Sequence, residues 1–206
     1  MSDLPVDLDA RLAARLAAAL DVEGKIPRAL DALGPIGDRD VVLVGAGEGQ
    51  RDRLQSLGGR VTVVDPLDTA AAAAWPLPSA SADAIVAWWS AFRGVDPAEL
   101  AEADRVLRPD GRLLVVHDYG RDDVARVRGD QPAYSLWSRR DGPFLSAGFR
   151  IRVIHCFWTF GSVEDAQGFM AEAFGDAGRA VAESLTRPRL RYNVAVYHRT
   201  RGGGGA

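Results

Sequence analysis

The stretch Val41-Val42-Leu43-Val44-Gly45-Ala46-Gly47-Glu48-Gly49 joins an apolar, β-branched run to three glycines at every second position. A continuous apolar run of this kind is typical of a strand that is buried on both faces of a parallel sheet. Glycines directly after such a strand let the backbone turn sharply and approach a ligand closely, because they carry no side chain. The stretch therefore predicts a strand, a ligand-binding turn and the start of a helix.

A second apolar run, Arg60–Val64, follows about twenty residues later and ends in Asp65, the distance at which an acidic residue can accept hydrogen bonds from both hydroxyls of a ribose. The carboxyl ends of neighbouring parallel strands meet at one edge of a sheet. The two strand ends together predict a pocket for an adenosine-containing cofactor at that edge.

Strand and helix patterns alternate along the rest of the chain. Leucines at every fourth position from Leu8 to Leu20 predict an amphipathic helix, and a shorter helix is expected from Pro27 to Leu33. The further predicted strands are 84–88, 112–117, 149–160 and 191–199, and the further predicted helices are 50–57, 97–107, 133–147 and 163–185. The alternation predicts a Rossmann-like, doubly wound, mostly parallel sheet with an antiparallel C-terminal edge pair and N-terminal helices.

Length and pattern favour one main domain. We expect an N-terminal helical segment, 1–36, that packs on the core of a Rossmann-like domain, 37–200, followed by a flexible tail, 201–206. Of the 206 residues 47% are hydrophobic and 26% are charged, which is ordinary for a globular protein.

The charges do not predict a nucleic-acid or membrane surface. The 25 basic and 28 acidic residues are interleaved, and the net charge is −3. No apolar stretch is long enough to span a bilayer, and the acidic start does not resemble a signal peptide, so we expect a cytoplasmic protein. Arginines between residues 121 and 152 are mixed with aspartates, which favours an ion-paired surface over an anion site.

Cysteine and histidine usage predicts no metal centre. Cys156 is the one cysteine, so it forms no intrachain disulfide and is interpreted as a buried thiol. The three histidines lack the spacing of metal ligands. His155 and His198 fall within the predicted last strands and are interpreted as structural.

Two further stretches complete an ordered set of four motifs. They are Trp75-Pro76-Leu77-Pro78-Ser79-Ala80-Ser81-Ala82-Asp83-Ala84-Ile85-Val86 and Glu102-Ala103-Asp104-Arg105-Val106-Leu107-Arg108-Pro109-Asp110-Gly111-Arg112-Leu113-Leu114-Val115-Val116. With the glycine-rich turn and Asp65, they resemble the class I S-adenosylmethionine-dependent methyltransferases of the small methyltransferase-domain type, with a degenerate cofactor motif. The stretch from Trp75 is similar to that family's entry into its fourth strand, and the stretch from Glu102 is similar to its helix, turn and fifth strand. The resemblance covers about residues 40–118 of the chain.

The resemblance implies S-adenosyl-L-methionine as the cofactor. Three glycines of the turn would wrap its methionine part, and the turn as a whole comprises Gly45, Ala46, Gly47, Glu48 and Gly49. Asp65, followed by Pro66, would hold the ribose hydroxyls, and Trp75 would flank the adenine. The end of the fourth strand, Ala87-Trp88-Trp89-Ser90, would face the transferred methyl group and a small-molecule substrate.

Two candidate catalytic residues follow the fifth strand of the family pattern. His117 could act as a general base that deprotonates a hydroxyl or an amine before methyl transfer, with Tyr119 beside it. The alternative is a turn that contains a hydrogen-bonded histidine.

The chain also departs from the family pattern. Leu43 stands where the family has an acidic residue near the ammonium group of the cofactor. The segment from Asp65 to Leu77 is shorter than in the family, and it lacks the usual helix, third strand and polar residue near the adenine. Loss of one charge-assisted hydrogen bond costs about 1.5–3 kcal/mol, so both departures would weaken cofactor binding.

Two functions therefore stay open on the sequence. One is methyl transfer to a small molecule, and the other is a non-catalytic methyltransferase-fold protein that works through contacts, as a homodimer or with a partner protein. A nicotinamide-dependent oxidoreductase is disfavoured, because its loop needs a third glycine at the position that Gln50 occupies.

Overall fold

A six-stranded sheet forms the centre of the computed structural model, which describes residues 4–45, 47–68, 74–129 and 132–202. Its strands are β1 (Asp40–Val44), β2 (Arg60–Val64), β3 (Ala82–Trp88), β4 (Leu107–Asp118), β5 (Arg150–Thr159) and β6 (Arg189–Thr200). The spatial order is β2-β1-β3-β4-β6-β5, in which β1 to β4 are parallel and β6 runs antiparallel to both β4 and β5. This confirms the predicted mostly parallel sheet with an antiparallel C-terminal edge pair.

Helices cover both faces of this sheet. They are α1 (Ala10–Ala19), α2 (Lys25–Leu33), α3 (Glu48–Ser56), α4 (Pro97–Val106), α5 (Asp123–Arg128), α6 (Pro132–Trp137), α7 (Pro143–Ser146) and α8 (Val163–Ala182). None of these helices, within the described part of the chain, is both long enough and apolar enough to cross a membrane. Most of the predicted tail, 203–206, lies outside the described residues.

The single helix predicted over 133–147 is wrong, because the chain breaks it into α6 and α7. Gly142 packs so closely against α6 that a Cβ atom there would lie 2.2 Å from the carbonyl oxygen of Leu136. Pro143 then occupies the first position of α7, where its missing N–H costs nothing. The helix predicted over 163–185 ends earlier, at Ala182, and it is kinked at Gly175, where φ is 58° and ψ is −133°.

The strand predicted from Arg112 starts earlier, at Leu107. Leu107 pairs with Ala82, and the register between β3 and β4 then shifts before Ala84 pairs with Arg112. The predicted turn residues between Leu107 and Arg112 therefore form an irregular part of β4. Asp110 in this part has a left-handed backbone conformation, with φ 64°.

Alternate residues of β4 pack into two separate hydrophobic cores, one on each face of the sheet. Leu114 and Val116 point to the face covered by α1, α2 and α8, and Leu113 and Val115 point to the opposite face with α4 and α7. Because both faces are buried, the central strands read as continuous apolar runs.

β2 is the edge strand on the parallel side of the sheet. The described residues between Asp65 and Ala82 contain no strand, so nothing in that part of the chain pairs with its outer edge. Val63 on this strand is 43% exposed. This is the region in which the methyltransferase family pattern, described above, has a further strand.

Trp75 anchors the short segment that follows β2. Its backbone N–H donates to Glu102 Oε1 at 2.7 Å, and its indole Nε1 donates to the carbonyl oxygen of Asp65 at 2.9 Å. Arg105 then closes the network, since it donates to both carboxylate oxygens of Glu102 and to the carbonyl oxygen of Leu77 at 2.8 Å. These bonds fix the segment against α4 without a strand.

We expect Glu102→Gln to lower the free energy of unfolding at neutral pH by about 1–2 kcal/mol, because the charge-assisted bonds to Arg105 are weakened. Hydrogen bonding from Arg105 lowers the pKa of Glu102 below its ordinary value of 4.5, although partial burial opposes the shift. The carboxylate therefore stabilises the fold above that value, and its contribution is lost as the pH falls below it. Urea unfolding of the wild type and the variant across this range measures the difference.

The matched control is Glu183→Gln, at an exposed residue just after α8. It should leave the free energy of unfolding at neutral pH unchanged. A Glu102→Gln difference that stayed constant well below pH 4.5 would contradict this account.

Candidate functional site

The carboxyl ends of β1, β2 and β3 meet at one edge of the sheet and are tied together there. The backbone N–H of Gly45 donates to the carbonyl oxygen of Val64 at 2.7 Å, which links the ends of β1 and β2. The hydroxyl of Ser90 donates to the carbonyl oxygen of Val44, which links the segment after β3 to β1. The turn that the sequence singled out is thus the junction of three strand ends.

Gly45 is required at this junction for two reasons. Its φ is 58°, a left-handed conformation that other residues adopt at a cost. A Cβ atom at this position would also lie 2.7 Å from Cγ of Pro66 and 2.9 Å from Cβ of Ser90. Protein atoms therefore already fill the side of Gly45 that a Cβ atom would occupy.

A cleft of about 510 Å³ opens over this junction. Its floor includes Gly45, Trp89 and Ser90, and its walls comprise Leu4, Pro5, Asp7, Arg93, Arg128 and Tyr134. Small-molecule sites in proteins span about 300–1,000 Å³, and in open α/β sheets they lie outside the carboxyl ends of the strands. The cleft has the size and the place of such a site.

The segment that follows β3 carries backbone strain next to the cleft. Trp89, Phe92 and Val95 have φ values of 59°, 57° and 67°, although none of them is glycine. Such conformations cost about 1–3 kcal/mol each and are concentrated at functional sites. This strain is a second, independent feature of the edge to which the sequence assigned function.

The last three residues of the glycine-rich turn lie at the start of α3. Gly47 is the residue before the helix, Glu48 is in its first turn, and Gly49 lies within it. Ala46 lies outside the described residues. Leu43, which replaces the acidic residue of the family pattern, is fully buried in the core on the side of α1.

The predicted ribose ligand is placed at the end of β2. Asp65 is exposed, and its carboxylate forms no hydrogen bond or ion pair with any described residue. Pro66, which follows it, packs against Gly45. The carboxylate is therefore available to an external ligand.

Three predicted cofactor residues are core residues. Ala87 and Trp88 are buried within β3, and the ring of Trp88 packs against that of Trp89 with centroids 5.9 Å apart. Trp75 is buried and bonded as described above, and it does not line the cleft. Of the three tryptophans predicted to line the cofactor or substrate site, Trp75, Trp88 and Trp89, it is Trp89 that lines the cleft.

His117 lies inside the protein, with 1% of its surface exposed. Its ring packs on Trp137 and Phe144, at centroid distances of 4.7 and 6.1 Å, and Nε2 lies 3.4 Å from the carbonyl oxygen of Phe92. Burial lowers the pKa of His117 from 6.5 to about 4, and the positive charge of Arg93 adds to the shift. The histidine lines neither the cleft nor the neighbouring pocket, so its role as a general base stays a prediction that this placement does not favour.

Tyr119 lines a second, smaller pocket of about 150 Å³ next to the cleft. The buried carboxylate of Asp118 is held in this pocket by two donors, the hydroxyl of Tyr192 and the guanidinium of Arg128. Burial raises the pKa of Asp118 above its ordinary value, against the attraction of Arg128. Arg128 and Tyr134 line both the pocket and the cleft, so the two lie side by side.

Sequence reasoning missed Asp118. The residue ends β4 immediately after His117, and no local pattern distinguishes it from an ordinary turn aspartate. Strand alternation places neighbours on opposite faces, so at most one of the two could face the pocket. Among the described residues, no group of three or more His, Cys, Asp or Glu side chains could hold a metal ion.

Known structures share this architecture. A candidate type II methyltransferase from Anaeromyxobacter dehalogenans is 21% identical, covers 86% of this chain and 95% of its own, and superposes with a TM-score of 0.55. A candidate methyltransferase from an antibiotic biosynthesis pathway of Anabaena variabilis is 14% identical, covers 88% of this chain and 98% of its own, and has a TM-score of 0.50. No family model matches the sequence, and no curated protein matches it either.

At these identities the likeness concerns the fold. The chain has the fold of the class I S-adenosylmethionine-dependent methyltransferases, as the ordered motifs in the sequence predict.

We expect Gly45→Ala to destabilise the protein by about 2–4 kcal/mol, since both the left-handed φ and the contacts with Pro66 and Ser90 oppose a Cβ atom. The control is Gly94→Ala, at a glycine with φ 94° and nothing within 4 Å of the added atom. It carries the conformational cost alone, so it should destabilise less. Equal losses for the two variants in urea unfolding would show that the close contact at Gly45 is not needed.

We expect the contribution of His117 to the free energy of unfolding to rise with pH between about 4 and 6.5. The unfolded state takes up the proton at the ordinary pKa of 6.5, whereas the native state resists it until about pH 4. The lowered pKa of His117 changes the free energy of unfolding by about 3 kcal/mol at most. Unfolding free energies measured across this range should show a shallower slope in His117→Phe than in the wild type. An NMR titration of His117 near 6.5 would refute the argument.

Proposed function

We propose that this chain is a methyltransferase that uses S-adenosyl-L-methionine and acts on a small molecule. The observation that carries the proposal is the cleft over Gly45, Trp89 and Ser90 at the carboxyl ends of β1 and β3. The pocket that contains Asp118 lies beside this cleft, and Arg128 and Tyr134 line both. A cofactor cleft beside an acceptor pocket is what transfer of a group between two ligands needs.

The residues of the cleft fit an aminocarboxylate ligand. Asp7 supplies a carboxylate for an ammonium group, and Arg93 supplies a guanidinium for a carboxylate. Asp7 would thereby replace the acidic side chain that is missing at Leu43. Arg93 is exposed and forms one hydrogen bond, to the carbonyl oxygen of Trp89 at 3.0 Å, so most of its donors are available.

The ribose of the cofactor has a candidate partner in the carboxylate of Asp65 at the end of β2. When bound, S-adenosyl-L-methionine supplies a methyl group on a sulfonium centre, which reacts with a nucleophile. Positioning of that nucleophile would account for much of the rate, because proximity and orientation alone lower such barriers by several kcal/mol, up to about 7–11.

Asp118 is the group best placed to take a proton from the acceptor. Its carboxylate lines the pocket, and a pKa raised by burial makes it a better proton acceptor than an exposed aspartate. Tyr192 and Arg128 hold the carboxylate in one orientation. The pocket volume of about 150 Å³ favours a small acceptor group.

The second candidate is a non-catalytic protein of the same fold, and the packing around Gly45 favours it. Pro66 and Ser90 fill the side of the turn that glycine leaves open, and Leu43 is a core residue. The outer edge of β2, which no described strand covers and where Val63 is exposed, would then serve contacts with a second copy or a partner protein.

Calorimetry with S-adenosylhomocysteine separates the two candidates. We expect saturable binding to the wild type, and binding at least about tenfold weaker to Asp65→Asn, since one charged acceptor for two hydroxyls is lost. Asp52→Asn, an exposed site on α3, is the control and should bind as the wild type does. Absence of binding at millimolar ligand would overturn the methyltransferase proposal and favour the non-catalytic one.

A further inference from the structure

A basic pocket lies at the edge of the sheet opposite to the cleft, near the amino ends of the parallel strands. Its volume is about 380 Å³, and it is lined by Arg112, Gly148, Arg150, His198, Arg199 and Thr200. No acidic residue of the described chain lines it. A concave surface with three guanidinium groups and no carboxylate is a candidate anion site.

The strand register brings four of these side chains to one face of the sheet. Arg112 of β4 pairs with Thr200 of β6, and His198 of β6 pairs with Arg150 of β5. Directly paired residues share a face, and Thr200 and His198 are two positions apart on one strand. Arg112 and Arg150 therefore flank His198 from the two neighbouring strands.

Arg112 is held in place before any ligand arrives. Its stem packs on the end of α2, where a Cβ atom on Gly34 would lie 2.9 Å from Cβ of Arg112. One terminal nitrogen donates to the hydroxyl of Thr200. A guanidinium has five N–H donors, so the fixed group keeps donors for a ligand. Such pre-organisation lowers the entropic cost of binding.

Arg150 differs from several of the arginines that precede it. Arg126, Arg128 and Arg139 form ion pairs with aspartates, as expected for part of the stretch between residues 121 and 152. Arg150 forms no ion pair with any described residue. In the same pocket, Arg199 is partnered by Asp104 at 2.8 Å. The unbalanced cations of the pocket are thus Arg112 and Arg150.

The pKa of His198 is affected by the charges of these two arginines. Burial, followed by the charges of Arg150 and Arg112, lowers the pKa of His198. No carboxylate acts on it from the described elements packed around it. Arg112 and Arg150 lie on strands on either side of β6, which carries His198, so an anion above His198 would be attracted by both guanidinium groups.

We propose that this pocket binds the phosphate group of a small phosphate monoester. Two guanidinium groups that flank one point suit a doubly charged anion, which both can bind through paired N–H donors. The volume exceeds that of one phosphate group and leaves room for the esterified part. The site is separate from the cleft, so the proposal stands or falls independently of cofactor binding there.

An NMR titration of the His198 ring tests the proposal, with inorganic phosphate and glycerol 3-phosphate as probes at constant ionic strength set with sodium chloride. Both probes should shift the ring resonances saturably and raise the pKa of His198, and glycerol 3-phosphate should bind more tightly. Arg150→Gln should weaken binding at least tenfold. The matched control is Arg152→Gln, which lies on the same face of β5 but does not line the pocket, and it should bind as the wild type does.

Three outcomes would overturn the proposal. One is a His198 shift no larger than that from sodium chloride alone. Another is equal weakening by the Arg150 and Arg152 variants, which would indicate general charge screening rather than a site. The third is tighter binding of inorganic phosphate than of the ester. Thermal unfolding of both variants, which alter exposed side chains, checks that the fold is unchanged.

Discussion

The close approach of three chain segments at Gly45 is the constraint on which the functional edge of this protein depends. Pro66 and Ser90 come within van der Waals contact of a residue that has no side chain, and a hydrogen bond from Ser90 locks the end of β3 to β1. The floor of the cleft is built from this contact. Because a Cβ atom at position 45 would collide with Pro66 and Ser90, this close packing of the three segments requires glycine.

The same contact decides how a ligand could be held. The space next to Gly45 belongs to the protein, so a ligand must lie above the junction, between the N-terminal segment and the strained residues that follow β3. The network of Trp75, Glu102 and Arg105 then supports the end of β2, in place of a further strand. Among the described residues, side-chain hydrogen bonds rather than a further strand thus support this end of the sheet.

The limits of the sequence are clearest at β4. Its apolar run predicted a strand, and in the structure alternate residues of that strand belong to two separate cores. The sequence could not say which face each of His117 and Asp118 would take, because that depends on the register between β4 and β6. The helix predicted over 133–147 failed because it runs through Gly142 and Pro143, where the chain ends α6 and starts α7.

By itself, the sequence determined the fold, the glycine-rich turn after β1 and the acidic residue after β2, because these are set by local periodicity and by backbone conformations that few residues adopt. Tertiary structure alone decided which side chains meet. It placed Trp75 and His117 in the core, Asp118 in a pocket, and Arg112 and Arg150 on either side of His198. Burial and cross-strand register depend on residues far apart in the chain, and no local pattern encodes them.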